Sequence, residues 1–458
     1  MNFGIFTLFP ALAVILIAVK TKRTNEALLG GCFLSYIIIA VGTCQNPIPL
    51  LVDSFFSVMT DYDAMWMVVV CGLFGSLIAV VNAAHGTHAI ARFIGKYCKT
   101  QRSTLLVSWL LGILIFVDDY MNILTICACT KRLSDERKIP REALAYVVDS
   151  TGAPVCVLLP FSTWAIFFAG VFYEDPAVVN LGFGSAMSTY IHSIPYMFYA
   201  WAAVIIVPLF IWGVIPKLGA MKAAYQRVKE TGAVYSKQSE RYNIDEQENV
   251  DPKQCNLIDF LLPIATLIII QLISDDMFIA VISAILVCGV LYIPRKKLSL
   301  DTYFDLLISG FSKLVPALMI IVSALWMRKA SSDLNLPGYV IDIVKPLVTA
   351  NIYPMIAFIV VSLLGFITGS NWGIPAVCAP IIIPLGVAVD ANLLAVMAAI
   401  VCGGTFCSHA CFYSDATVIT STTCGIENMD HATTQLPYAL IAFVISSVTF
   451  LIAGIIGQ

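Results

Sequence analysis

The chain has 458 residues, 59% of them hydrophobic and only 12% charged, with a mean hydropathy of +0.88. A soluble domain carries about 25% charged residues, so this composition excludes a water-soluble globule. The 26 basic and 29 acidic residues give a net charge of −3 and offer no nucleic-acid footprint.

Apolar runs long enough to cross a bilayer begin at once. The first, 4–19, lacks the basic leader of a cleavable signal peptide and closes on Lys20, Lys22 and Arg23. Runs 28–43 and 64–84 follow, with a short amphipathic stretch at 49–60. Next comes 104–129, which is apolar but interrupted by "DDYMN". The runs 143–172 and 190–215 complete the first half, and a hydrophilic stretch follows. Runs 257–274, 277–293 and 314–326, an amphipathic stretch at 302–312, the Pro-interrupted 353–385, and runs 392–423 and 436–456 make up the second half. About ten full spans are expected. Nearly all of the 14 cysteines lie inside these runs, without zinc-ligand spacing, and read as small packing residues.

Charge fixes the topology. If the N-terminus is outside, all of the 26 basic residues except Arg328, Lys329 and Lys345 fall on the cytoplasmic side. Both termini are then outside and the chain sits in the cytoplasmic (inner) membrane. Both flanks of 104–129 are basic, so that segment enters and returns as a re-entrant hairpin of about 103–131, with Asp118, Asp119 and Asn122 near its tip. Its counterpart, about 353–387, turns at "TGSNWG", with Ser370 and Asn371 at the tip; Pro375, Pro380 and Pro384 argue against a straight span there. Arg328 and Lys329 are expected to end the eighth span by snorkelling to the outer surface. The alternative is that one of them reaches the site and holds a carboxylate-bearing substrate.

The same order of spans, amphipathic stretch, hairpin, broken span and final span occurs twice. Five crossings per half, an odd number, force the second copy upside down. The expected fold is therefore all-α and polytopic, with two inverted-topology repeats, 1–216 and 257–458, each holding a re-entrant hairpin and a broken helix (about 142–172 and 392–423). Residues 217–256 read as a cytoplasmic linker, helical at its start and otherwise loosely ordered.

The polar breaks are where chemistry is expected. Adjacent carboxylates at Asp118 and Asp119 repel, so a proton or a cation must offset one of them, and that competition is the minimal chemistry of an exchanger. Asp149, Ser150 and Thr151 open the break in the first broken span, with Ser162 and Thr163 ten residues on. Freed carbonyls and hydroxyls are the ligands a hard cation takes. The second half offers Gly403, Gly404, Thr405, Ser408, His409, Ser414, Asp415 and Thr417. At an offset of 252, Gly404 falls on Gly152, Ser414 on Ser162 and Asp415 on Thr163. No "HExxH", phosphate loop or nucleophile elbow occurs in context, so an enzyme is not expected. A channel would not need two such half-sites.

The strings "FVDDYMNILT", "DSTGAPVCVLLPFSTW", "SHACFYSDATVITSTTCG" and "DHATTQLPYAL" resemble the NhaC family of sodium/proton antiporters within the ion-transporter superfamily. The resemblance implies inverted repeats, an elevator-type motion and a homodimer. It favours Asp118, Asp119, Asn122, Asp149, Ser162, Asn371, His409, Ser414 and Asp415 as site residues, with sodium on Asp118, Asp119 and Asp415. No cofactor beyond the coupling sodium ion or proton is expected, and no partner other than a small substrate and the bilayer. Two departures stand out: Ser408 occupies a position where family members carry an acid, and "SDTT" reads "SDAT" with Ala416. They leave open an alternative, a sodium- or proton-coupled carrier of an amino acid or carboxylate.

Overall fold

A computed structural model describes residues 3–456 apart from 22, 97, 117, 161, 174, 244–255, 275, 345 and 347. The chain is an all-helical, polytopic membrane protein built from two copies of one helix order. The first copy runs α1 (Leu8–Thr21), α2 (Thr24–Thr43), α3 (Pro47–Met59), α4 (Tyr62–Ala83) and α5 (Gly86–Gly95). The hairpin arms α6 (Gln101–Leu114) and α7 (Asp119–Glu136) follow. The broken span is α8 (Arg141–Asp149), α9 (Ala153–Leu158) and α10 (Thr163–Tyr173); then come α11 (Pro176–Val179), α12 (Ala186–Ser193) and α13 (Phe198–Trp212). After α14 (Gly219–Thr231), the second copy runs α15 (Ile258–Ser274), α16 (Met277–Tyr292), α17 (Leu300–Asp333) and α18 (Leu336–Val344). Its hairpin is α19 (Tyr353–Thr368) and α20 (Gly373–Ala388), its broken span α21 (Leu393–Ala410) and α22 (Asp415–Cys424), and its last helix α23 (Asn428–Ile456). Helices α10 and α22 start 252 residues apart, the offset read from the sequence.

Among the described residues four helical stretches pass alone as spans by length and apolarity, and three bent pairs bring the number to seven. The ten runs of the sequence are reached only with the shorter apolar helices Gly4–Val14, Ile258–Gln271 and Met277–Tyr292. Side chains such as Leu16, Val41, Ile273 and Val290 are exposed on these helices, as a lipid-facing surface requires. In the first copy α3 and α4 are separate helices. In the second, the amphipathic stretch and the span fuse into α17, bent by 46° between Leu300–Val315 and Leu318–Asp333. Helices α4 and α17 pack against each other across the repeats at backbone distance. A Cβ at Gly75 would lie 2.5 Å from the Gly310 carbonyl oxygen, and the reverse holds at Gly310. Only glycine lets these two backbones meet.

Three sequence expectations are corrected. The broken span of about 392–423 is interrupted later than its glycines: α21 stays helical through Gly403 and Gly404. Those glycines serve packing, since a Cβ on Gly404 would come 2.5 Å from the Asn371 carbonyl oxygen and one on Gly403 2.6 Å from Val361. The break that repeats is 159–162 with 411–414, whereas 150–152 is an extra interruption of the first copy alone. The linker is also not loose after its first helix. Asn243 is buried and donates to Gly425 O at 2.7 Å, and it accepts from buried Arg141 at 2.5 Å. Arg227 of α14 forks onto Glu142 at 2.8 and 2.9 Å. The rest of the linker, 244–255, lies outside the described residues, as does Lys345. The third correction concerns Arg328 and belongs to the site.

Candidate functional site

The turns of both hairpins and the breaks of both interrupted spans converge. Helices α7, α10 and α22 all begin at this crossing, so three helix N-termini bring unpaired N–H groups and positive dipole ends to it. Asp118 is the N-cap of α7: one carboxylate oxygen accepts from Met121 N at 3.0 Å and the other from the Thr163 hydroxyl at 3.2 Å. The first hairpin is thereby tied to the first residue of α10. Gly369 ends α19 at φ +69°, a left-handed cap that glycine adopts without strain, and it turns the second hairpin tip against Tyr413.

Asp415 joins the two hairpins. Its Oδ2 accepts from the Tyr120 hydroxyl at 2.6 Å, and its Oδ1 accepts from the Asn371 amide at 2.8 Å and from Ala416 N at 2.7 Å. One half-buried carboxylate at the start of α22 is thus held by the first hairpin, by the second hairpin and by its own helix. Asp119 is its opposite. Its side chain is fully buried, yet neither oxygen has a hydrogen-bond partner among the described residues, and the indole N–H of neighbouring-helix Trp164 is likewise unpaired. An ionised carboxylate buried without partners is costly enough that structure alone does not account for it.

Other expected residues have structural partners. Ser162 and Ser414 cap α10 and α22 in the same way: each donates to a carbonyl six residues back, Cys156 O at 2.6 Å and Ser408 O at 2.7 Å, while accepting from a first-turn N–H. Ser370 accepts from Gly373 N at 3.1 Å. Asn122 closes the first hairpin turn by donating to Gly112 O and Ile115 O at 2.6 and 2.7 Å, leaving its own carbonyl oxygen unpaired. Thr151 and Thr405 bond back to their own helices. Among the described residues no three His, Cys, Asp or Glu side chains form a metal-holding group. Asp118, Asp119 and Asp415 therefore do not close into one three-carboxylate cage, and a cation there would draw on hydroxyl, amide and backbone oxygens as well.

Asp149, Ser150 and His409 form a separate buried network with residues of α23. Asp149 Oδ2 meets His431 Nε2 at 3.1 Å and accepts from the Gln435 amide at 2.5 Å; the same amide also donates to His409 O. The Ser150 hydroxyl donates to Tyr146 O at 2.6 Å, so His409 Nε2 donates to Ser150 and its Nδ1 accepts from the Tyr199 hydroxyl, both at 2.8 Å. That tautomer, assigned from the network, is a neutral imidazole with both nitrogens occupied. His409 is a bridge within the core and does not face the crossing as a ligand.

Arg328 does not snorkel. It lies half-buried on α17 and lines a cavity with Gly369, Asn371, Tyr413 and Asp415. Its neighbour Lys329 makes the surface pair instead, 2.6 Å from Asp333 four residues on.

Residues 177–455, more than half of the chain, match the model of the Na+/H+ antiporter family. The chain belongs to that family. Its members being transporters, this protein is a membrane transporter and not an enzyme. It is 24% identical over 491 residues to an uncharacterized protein of Haemophilus influenzae, covering 98% of this chain and 91% of that one. Among solved structures it is similar at 12% identity to the YdaH transporter of Alcanivorax borkumensis (TM-score 0.39, 90% of each chain covered). It is also similar at 12% identity to MtrF of Neisseria gonorrhoeae, described as one of a class of antimetabolite efflux pumps (TM-score 0.37, 86% of this chain and 85% of that).

Sequence reasoning missed four side chains of this antiporter-family protein: Tyr120, Trp164, His431 and Gln435. Tyr120 stands inside the "DDYMN" break, so its place in the hairpin tip was available. His431 and Gln435 are four apart on α23, a spacing that puts them on one helix face. Nothing local marks Asp149, 282 residues from His431, as their partner.

Proposed function

We propose that the protein is a sodium/proton antiporter working by alternating access, with the coupling ion bound at the hairpin crossing beside Asp119 and Asp415. The observation that carries this reading is the Asp415 carboxylate, shared between the two hairpins and α22, next to a fully buried Asp119 without partners. A cation or proton arriving at such a place changes the charge balance of every element that meets there, which is how an ion biases a conformational equilibrium. Helix N-termini and freed oxygens at paired broken helices are the usual setting for such sites. Proteoliposomes holding a pH-sensitive dye should answer an imposed sodium gradient with saturable proton movement in the opposite direction. If acidic, neutral and alkaline conditions all give only leak, the antiport reading fails.

The same reading places the linker in the cytoplasm and both termini outside the cytoplasmic membrane, supported by the distribution of basic residues. Exposed Lys237, replaced by cysteine, should react with a membrane-impermeant maleimide only after cells are permeabilised. Labelling in intact cells would reverse the orientation. We take the working unit to be a homodimer with an elevator-type displacement of the hairpins, as the family resemblance implies.

A further inference from the structure

Several thiols of this chain bond to backbone carbonyls, as Cys32, Cys98 and Cys411 do. Cys127 and Cys424 bond to each other. Their sulfurs lie 3.2 Å apart, with both side chains buried and both cysteines free. The two come from positions 297 apart, one on the hairpin arm α7 and the other at the last residue of α22. Both helices start at the crossing and pack side by side beyond it. At the crossing they are joined by the Tyr120 hydroxyl on Asp415, at 2.6 Å. Cys127 stands seven residues past Tyr120, about two turns along the same face of α7. The thiol pair therefore closes the far end of the contact that Tyr120 and Asp415 open. Buried Arg141 holds those far ends in register: it pairs with Asp135 at 2.8 Å and donates to Cys424 O at 3.2 Å.

A disulfide joins its sulfurs at about 2.05 Å, so roughly 1 Å of approach from the present 3.2 Å makes the bond. We propose that Cys127 and Cys424 are a redox latch, which a hydroperoxide closes into a disulfide that fixes the first hairpin to α22 and halts the carrier. One sulfur, as thiolate, attacks the peroxide oxygen; the O–O bond breaks, and the leaving oxygen takes up the proton that the thiol gave. The second sulfur attacks the sulfenic sulfur so formed, the S–O bond breaks, and water leaves with the second thiol proton. The two sulfurs lose two electrons and the peroxide gains them, so hydrogen peroxide ends as two waters. Burial shields the pair from bulky disulfides, which leaves small uncharged hydroperoxides as the oxidant. In a reducing cytoplasm the resting state is the dithiol. The Tyr120 and Arg141 contacts can part and re-form as the hairpin moves, whereas a covalent bond holds one conformation. The halt rests on the alternating-access reading above; the bond itself does not.

The test exposes the full-length protein in proteoliposomes to hydrogen peroxide and then reads it by proteolysis and mass spectrometry. A peptide pair joining Cys127 to Cys424, lighter by two hydrogens, should appear, and dithiothreitol should remove it. With the bond in place, sodium-driven proton flux should fall to the leak of empty liposomes, and hydrogen exchange in α7 and α22 should slow. Dithiothreitol should restore both. Cys127→Ala and Cys424→Ser each remove one sulfur and should keep their flux after peroxide. Gel filtration checks their folding; either variant suffices for the comparison, and if neither folds, reversal by dithiothreitol in the wild type carries it. The latch is overturned if no such peptide pair forms, if flux continues with the bond in place, or if the variants lose flux as the wild type does. If the wild type shows no sodium-driven flux before oxidation, the antiport reading alone fails. Slowed exchange in the two helices then upholds the latch, and unchanged exchange overturns it.

Discussion

Asp119→Asn is expected to abolish ion-coupled transport while leaving the protein at least as stable as wild type. Most functional substitutions lower activity and stability together, because the side chain removed also holds the structure. Asp119 is different: it is fully buried, neither of its oxygens makes a hydrogen bond of normal geometry, and only the Trp164 indole interacts with it, so a neutral amide of the same shape removes little bonding. Burying an ionised group without partners costs several kcal/mol, and losing that charge should therefore raise the unfolding midpoint or leave it unchanged. Asp415→Asn is the contrast. There Tyr120 and Asn371 donate to different oxygens and an amide nitrogen accepts from neither, so at least one charge-assisted bond is lost, at a cost of about 1.5–3 kcal/mol. Both variants should reduce sodium-driven proton flux to the leak of empty liposomes, but only Asp415→Asn should melt earlier. Wild-type flux in Asp119→Asn would remove Asp119 from the ion path and leave its isolation as a packing fact.

Asp149→Ala should be among the most destabilising single changes in the chain, by about 3–5 kcal/mol. Asp149 and His431 are both buried, and the same carboxylate oxygen also takes the Gln435 amide. Truncation strands the buried His431 Nε2 and leaves the Gln435 amide only its bond to His409 O. It also leaves a void where α8 meets α23. Asp149→Asn keeps the volume and one acceptor, and should lose clearly less. The measurement is the unfolding midpoint in detergent, read beside proton flux. If the alanine variant melts within a degree or two of wild type but fails to transport, Asp149 belongs to the ion path after all and the α23 network is not what holds it.

These two expectations separate residues that the sequence could not separate. Carboxylates at 118, 119, 149 and 415 all stand in polar breaks of apolar runs, and all four look alike to a reading based on membrane depth. In the folded protein each has a different neighbourhood. Asp118 caps a helix, Asp119 is isolated, Asp149 belongs to a core network with α23, and Asp415 joins two hairpins.

Several features were settled by the sequence alone. Apolar run length, the one-sided placement of Lys and Arg, and a repeat at constant offset depend only on order along the chain. They determined an all-helical membrane protein, two copies of one helix order, and a hairpin and a broken helix in each. What the sequence misjudged depends on atoms distant in the chain. Gly403 and Gly404 looked like a helix break because glycine weakens helices, but the second hairpin presses against α21 there and the close approach needs them. Arg328 looked like the end of a span because it and Lys329 follow the apolar run 314–326 together. Only the tertiary structure decided that Arg328 turns inward to the Asp415 cavity, that Tyr120 and Asn371 share one carboxylate, and that His431 and Gln435 hold Asp149. Each of those contacts joins residues 44 to 295 positions apart, and local pattern carries no record of which distant side chain will fill a given space.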